Sequence, residues 1–432
     1  MTGIKTVKTI SFLWIGSILG AGFNFLAQMV LARSVGAEQF GAFAASLAAV
    51  TMLSPLAGFG VQLFWLRAFG EEGSKGTRWL KGSLRLVRFT TLLIFVILLC
   101  LGTINSKKDA YLGAILALHI FGIIGIELVG SLLQIQGRYA ALVAWQLVPH
   151  AARFLFICVL AFIFASSFST TDAALAYAIV SISSLALSIR FLKQKNRNEF
   201  LFIDHEKAAE NSFSKLSHPS ATDVAKESWK FGLTGIIYLS YFQASIIILE
   251  HISGQHAAGI FSSAFMIIAA IYLFPAAVYQ KFFLPKFHRW ENENITLTRE
   301  ILRTASLVML MIGVCSMLLL WLASPYLIPL LFGQEYISAI PVLNILAVAI
   351  PIRFLASGFS AALTKTTTIK LKNLVMGCIS AASVLASFAV IQRHGIQGAA
   401  IVYLCTELSL SIAFFIIAKA VVFKGSVIGN KA

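Results

Sequence analysis

The sequence predicts an all-α polytopic membrane protein, with about twelve transmembrane helices in two parallel six-helix bundles related by a pseudo-twofold. Three observations predict it: the composition, the length and texture of the apolar runs, and a weak internal repeat. Of 432 residues, 58% are hydrophobic and 12% charged, and the mean hydropathy is +0.85, values outside the soluble range. The apolar runs are each about 20 residues long, which is what a helix needs to cross a hydrocarbon core roughly 30 Å thick. They lack the short alternating pattern of barrel strands. Inside lipid every backbone N–H and C=O must pair internally, so uninterrupted runs of this length choose helices.

In chain order the spans fall at 10–32, 42–66, 84–104, 111–134, 142–165, 172–192, 231–250, 258–280, 301–323, 340–362, 372–391 and 398–421. The first run is long enough to span and ends without a small-residue cleavage site, so it reads as a helix of the mature chain. Between the sixth and seventh spans lies the longest hydrophilic stretch, 193–230, whose charge and scarcity of large apolar residues mark a linker. The domains expected are therefore 1–192, a six-helix bundle; 193–230, a cytoplasmic linker; and 231–432, a second six-helix bundle.

Basic residues orient the chain. With the N-terminus cytoplasmic, 28 of the 34 Lys and Arg fall on the cytoplasmic side and four (Arg33, Lys107, Lys108, Arg393) on the other. Arg153 and Arg353 are left inside the membrane. This asymmetry places both termini in the cytoplasm. It also accounts for the net charge of +16 as an orientation signal, with contact to anionic lipid headgroups as a by-product, and no nucleic-acid partner is expected. The five cysteines (Cys100, Cys158, Cys315, Cys378, Cys405) are scattered among the spans without paired spacing. Neither a metal site, a cofactor nor a disulfide is expected from them.

The halves repeat each other. LARSVGAEQFGAFAAS from Leu31 and LEHISGQHAAGIFSSA from Leu249 align at an offset of 218, pairing Gly36 with Gly254, Gly41 with Gly259 and Phe43 with Phe261. At an offset of 226, DAALAY from Asp172 faces GAAIVY from Gly398, matching Tyr177 with Tyr403, and Glu127 falls opposite Arg353. An even number of spans per repeat makes the copies parallel, an arrangement that suits alternating access around a central site.

Four stretches carry a family resemblance: LARSVGAEQFGAFAAS, LLQIQGRY at 132–139, PLLFGQEYISAIPVLNIL at 329–346 and HGIQGAAIVY at 394–403. Over nearly its whole length the chain resembles the bacterial polysaccharide flippases, the Wzx-type O-antigen exporters of the multidrug/oligosaccharidyl-lipid/polysaccharide superfamily. The resemblance implies a MATE-like fold and a bacterial inner-membrane location. It also implies passage of an undecaprenyl-pyrophosphate-linked oligosaccharide, with polysaccharide polymerase and assembly proteins as partners. Relatives often carry an acidic residue in the seventh span, where YFQASIIIL has Gln243.

A path for a polar headgroup needs polar stripes on apolar helices. Gln146, His150 and Arg153 share one face of the fifth span, beside Pro149. Arg353, Ser357, Ser360 and Thr364 do so in the tenth; His119, Glu127, Ser131 and Gln134 lie within a broad face of the fourth. Tyr403, Glu407 and Ser411 line the twelfth, and Asn24 and Gln28 the first. A charge at the bilayer centre costs about 2.5–3.5 kcal/mol even on the lenient insertion scale, so both arginines should face protein or water. A guanidinium holds phosphate through paired hydrogen bonds and keeps its proton, which suits a diphosphate. The other reading is a packing ion pair, Arg153 with Glu127 or Arg353 with Glu407. Glu127 and Glu407 are candidates for ion coupling, and His150, Gln146, Asn24 and Gln28 for the cavity lining.

No GxxxxGK[ST] phosphate loop appears, so ATP hydrolysis by that route is not expected. A glycan polymerase or ligase would place acid, base or Arg groups on a sizeable periplasmic loop. The largest one here, near 324–339, has Glu335 as its sole charge. The expectation is a transporter rather than an enzyme; a cation-coupled multidrug antiporter on the same scaffold is the alternative.

Overall fold

The computed structural model describes residues 3–104, 107–165, 167–195, 219–277, 295–363 and 366–420, and among these there is no β-strand. The helices are α1 (Gly3–Gly58), α2 (Val61–Glu72), α3 (Leu80–Ile104), α4 (Lys107–Ala117), α5 (His119–Ile135), α6 (Tyr139–Ile163), α7 (Thr170–Lys195), α8 (Ala221–Ser253), α9 (Gln255–Ala277), α10 (Ile295–Phe332), α11 (Ala339–Ala347), α12 (Ala349–Ala362) and α13 (Thr366–Ala418). Nine runs among the described residues are long and apolar enough to cross a membrane. One of them, Phe12–Gly102, has 91 residues; as a single helix it would measure about 135 Å, several bilayers. Instead it breaks at Gly36 (φ 78°) and turns again before α3, giving three crossings. Lys370–Ala418 breaks at Gly395 (φ 52°), giving two. Counted this way, the nine runs hold twelve crossings. The protein is an all-α, multi-pass membrane protein.

By packing, the chain divides into one unit of Met1–Val35 with Ala45–Leu239 and a second of Gly36–Ala44 with Ser240–Ala432. In the first, α5 packs chiefly on α7. Lipid gives no hydrophobic drive between helices, so this seam relies on small residues and close approach. A Cβ on Gly122 would lie 2.6 Å from Ser181, and one on Gly125 2.6 Å from the Ser188 hydroxyl. The seam's hydroxyls stay neutral to packing because each donates back to its own helix: Ser181 to Tyr177 O at 2.6 Å, Ser184 to Val180 O and Ser188 to Ser184 O at 2.7 Å. Trp65, fully buried, anchors the α2 side of the core and donates from Nε1 to Ser83 Oγ at 3.0 Å.

The end of the stretch expected to be a linker is helical. α8 begins at Ala221, ten residues before its apolar run, behind a capping box in which Ser220 N–H donates to Asp223 Oδ2 (2.9 Å) and Asp223 N–H to Ser220 Oγ (3.2 Å). Val224 is fully buried, and Gly82 of α3 lies so close to Pro219 O that a Cβ there would sit 2.6 Å away. Ser169 and Asp172 make the same box at the start of α7. Residues 196–218 of the expected linker lie outside the described residues.

In the second unit α10 packs on α12, and α12 on α13. Here the sequence repeat becomes visible as geometry. Gly36 and Gly254 both have positive φ, 78° and 90°, and each restarts a helix. Five residues on, Gly41 and Gly259 bring two backbones into contact: a Cβ on Gly41 would overlap the Gln255 carbonyl, and one on Gly259 the Ala37 carbonyl. Glu335, the sole charge of its loop, accepts the Ala37 N–H at 2.8 Å, satisfying a free amide where the helix restarts after Gly36.

Candidate functional site

Each unit contains a cluster built around one intramembrane arginine. In the first, Arg153 of α6 is 6% exposed. Its Nε donates to Pro149 O at 3.1 Å, Nη1 reaches His119 Nε2 at 3.4 Å and Nη2 reaches His150 Nδ1 at 3.3 Å. The guanidinium lies over the Tyr177 ring, 5.0 Å from its centroid. The hydrogen bonds assign both histidines. Ser181 spends its one proton on Tyr177 O, so at the 2.7 Å contact with His119 it can only accept, and Nδ1 of His119 carries the hydrogen. That leaves Nε2 as an acceptor for Arg153, just as His150 Nδ1 is. Both rings are neutral neighbours of a cation.

The two packing ion pairs that the sequence allowed have different outcomes. Arg153 has no carboxylate within ion-pair distance among the described residues, while Arg353 of α12 approaches Glu407 Oε2 at 3.4 Å. Glu127 does not join Arg153; its Oε2 is buried near Gly58 instead.

In the second cluster Glu407 is fully buried, while the Arg353 side chain is 20% exposed. Arg353 Nη1 donates to the Tyr241 hydroxyl at 2.7 Å, and the Tyr403 hydroxyl donates to Glu407 Oε1 at 2.9 Å. Rings of Tyr241, Phe242 and Tyr272 stand 5.6–6.0 Å from the guanidinium carbon. Ser357 continues the polar stripe by donating to Arg353 O at 2.8 Å; Thr364, the stripe's last expected member, lies outside the described residues.

A second cation reaches this stripe. Lys372 of α13 donates to Ser360 O at 3.1 Å, with its ammonium 5.6 Å from the centre of the Phe414 ring, and it lies within electrostatic reach of Arg353. Sequence reasoning had placed Lys372 with the cytoplasmic basic residues. A lysine near a helix end has a four-carbon stem that can carry its charge either way along the bilayer normal. Among the described residues this cluster therefore brings together two cations, Arg353 and Lys372, and one carboxylate, Glu407.

The remaining expected lining residues belong to the first unit. A Cβ on Gly20 of α1 would lie 3.5 Å from His150 Cδ2, and one on Gly130 3.8 Å from Gln146 Nε2. Asn24 and Gln28 are half-buried, one and two turns beyond Gly20. An apolar groove of about 440 Å³ opens between α6 and α7, lined by Trp145, Pro149, Ala152, Phe156 and Ser183 among others. Tyr241, Tyr272 and Tyr177 were not singled out from the sequence as arginine partners; the repeat had marked Tyr177 and Tyr403 only as equivalent positions.

The family model described as "Polysaccharide biosynthesis protein" matches residues 6–291. The chain belongs to this family. A capsular polysaccharide biosynthesis protein, CapF of Staphylococcus aureus, is 25% identical over 256 residues, which is 57% of this chain and 60% of that relative's length. Among solved structures, an inward-facing multidrug resistance MATE family transporter of the MOP superfamily has a TM-score of 0.71 at 15% identity, covering 93% of this chain and 94% of its own. The lipid II flippase MurJ in an inward closed conformation has a TM-score of 0.71 at 12% identity, covering 94% and 87%. At such identities these two likenesses establish the fold, the one expected from the motifs.

Proposed function

We propose that this polysaccharide-biosynthesis family member is a flippase that moves an undecaprenyl-pyrophosphate-linked oligosaccharide across the bacterial inner membrane by alternating access, with both termini cytoplasmic. The observation that carries the reading is the imbalance at Arg353: a partly exposed guanidinium, backed by a buried carboxylate at 3.4 Å and joined by Lys372. Glu407 holds the arginine in place without saturating it, since a tight charge-assisted contact would be 2.7–2.9 Å. A diphosphate can meet the exposed part of the Arg353 side chain, with the Lys372 ammonium as a second point of charge. Arg153, unbalanced by any described carboxylate, is the corresponding cation of the first unit but is closed over by His119, His150 and Tyr177. The apolar groove beside Pro149 offers a lipid chain a path outside the polar stripe.

The test is surface polysaccharide display in cells lacking their own flippase and supplied with a matched glycan. Wild type restores display; Arg353→Ala and Lys372→Ala reduce it at unchanged membrane abundance, and Arg353→Lys restores it only in part, because a lysine lacks the planar fork. Normal export by both Ala variants refutes the headgroup role. Failure of the wild type combined with gained drug resistance transfers the protein to the multidrug antiporter reading.

A further inference from the structure

One exposed stripe of α3 carries two different surfaces in succession. Lys81, Arg85 and Arg88 are exposed, and on a helix that turns about 100° per residue they fall within an arc of about 60°. Phe89, Leu92 and Val96 continue the same stripe and are 67%, 50% and 53% exposed. The opposite face is closed, with Ser83, Leu86, Val87 and Thr90 all buried. Large apolar side chains turned outward from a membrane-spanning helix are turned to lipid. The step from Arg88 to Phe89 therefore marks where hydrocarbon begins along this side of α3. The three cations stand directly beyond it, at the level of the lipid headgroups.

The protein does not balance these charges. None of the three side chains has an ion-pair or hydrogen-bond partner among the described residues, and the carboxylates described at this end of the unit are engaged elsewhere. Glu71 pairs with Arg67 at 2.8 Å, while Glu72 accepts Arg78 at 2.8 and 2.9 Å and the Trp79 ring N–H at 3.0 Å. Asp223 closes the capping box with Ser220, and Glu227 of α8 lies within electrostatic reach of Arg67. A Cβ on Gly82, at the edge of the row, would lie 2.6 Å from Pro219 O and 3.1 Å from the Val224 side chain. The start of α8 thus bounds the row on one flank, and the row itself stays open.

We propose that this row binds the headgroup of an anionic phospholipid, whose acyl chain lies along Phe89, Leu92 and Val96. Arg85 and Arg88 are about 4.5 Å apart along the helix axis, within the roughly 5–7 Å that a headgroup layer adds to each side of the hydrocarbon core. Two guanidiniums at one depth hold a phosphate through paired hydrogen bonds. Lys81, about 6 Å further out, brings its ammonium back toward the same phosphate along a four-carbon stem. The apolar row beneath supplies a contact that a soluble phosphate cannot use, which is why the occupant is a lipid. The orientation signal needs only a number of cations on one side of the membrane; it does not require them to stand in line with a lipid-facing row, free of carboxylates. Only the leaflet rests on the reading above: with both termini cytoplasmic, the lipid belongs to the cytoplasmic leaflet.

Native mass spectrometry of the full chain, titrated with phosphatidylglycerol or phosphatidylcholine, reads this site without any glycan, so its failure and the failure of the flippase reading are separate results. Wild type is expected to retain phosphatidylglycerol in preference to phosphatidylcholine. Each of Lys81→Gln, Arg85→Gln and Arg88→Gln should weaken that retention about fivefold, the share of one cation at an anionic membrane surface. Lys75→Gln, exposed on the segment Gly73–Trp79 and outside the row, should leave it unchanged. Because the three side chains are exposed, the triple variant should melt at the wild-type temperature, which keeps a loss of lipid from being read as a loss of fold. Equal retention of phosphatidylglycerol by the triple variant and the wild type overturns the proposal, as does equal retention of the two lipids by the wild type. A loss in Lys75→Gln as large as that in Arg85→Gln overturns the row as the site and leaves only attraction by net charge. Retention of undecaprenyl pyrophosphate with phosphatidylglycerol excluded overturns the choice of a phospholipid.

Discussion

Removing Arg353 strands Glu407, and the arithmetic of that loss separates a structural arginine from a working one. Glu407 is fully buried and held by Tyr403 Oη at 2.9 Å and by Arg353 at 3.4–3.5 Å. Taking one partner from a buried ion pair costs about 3–5 kcal/mol. The long contact and the partial exposure of Arg353 argue for the lower end, so Arg353→Ala should destabilise by about 3 kcal/mol. Adding Glu407→Gln removes the stranded charge while keeping an acceptor for the Tyr403 hydroxyl. The double variant should therefore recover about 2 kcal/mol of that loss, a coupling within the range found for contacting residues. Denaturation of the four proteins of the cycle in one detergent reads the stability term, and polysaccharide display in flippase-deleted cells reads the function. An arginine that only fixes packing lets the double variant export again once its stability returns. An arginine that meets the headgroup leaves it silent. Additive losses, with no recovery of stability in the double variant, would refute the ion-pair reasoning itself.

Two further predictions concern folding. Gly41→Ala should cost about 2 kcal/mol or more by forcing apart the backbones at Gln255 and Gly259, whereas Gly254→Ala, with φ 90° and nothing within 4 Å of its new carbon, should cost only about 1 kcal/mol of backbone strain; the reverse order in thermal denaturation would remove the close approach as the reason for Gly41. Between the second and third spans, Arg78 donates to Glu72 at 2.8 and 2.9 Å and holds its carboxyl below the usual range. That stabilisation is therefore complete above the ordinary carboxylate pKa and lost as pH falls through the lowered one, so the stability gap between wild type and Glu72→Gln should close in acid, and a gap independent of pH would contradict it.

The crossings were legible because bilayer thickness sets a length that apolar runs either meet or miss. Gly36 and Gly254 were legible as a pair because only the repeat explains two glycines at one offset, and both turn out to hold positive φ. Phe59 was not: nothing in a phenylalanine advertises a left-handed conformation, and the break between α1 and α2 depends on Thr90, Thr91 and Gly232, which come from other helices. The start of α8 carried its signal in Ser220-x-x-Asp223, but its first ten residues, six of them charged or polar and only Val224 and Ser228 buried, do not resemble a membrane helix. Arginine partners were harder still. Sequence spacing grouped His119 with Glu127 on one broad face of the fourth span, yet both lie in α5, where eight residues carry Glu127 about 80° around the helix and about 12 Å along it from His119. The structure sends one to Arg153 and the other to the α1–α2 break.

The repeat also shows what duplication preserved and what it did not. Tyr177 and Tyr403 occupy equivalent positions and each stands near an intramembrane arginine, Tyr177 directly beneath Arg153 and Tyr403 through Glu407 beside Arg353. At the offset that aligns these tyrosines, Glu127 of the first half stands opposite Arg353 of the second. The aligned positions thus carry opposite charges, with different surroundings among the described residues: Glu127 Oε2 is buried without a hydrogen-bond partner, and Arg353 has a second cation, Lys372, within electrostatic reach. Exchanging the two, as Glu127→Arg with Arg353→Glu, would place a guanidinium beside Gln62 with no carboxylate near it and two carboxylates together at Glu407. The two opposite charges therefore answer to the packing around each copy rather than to the repeated motif.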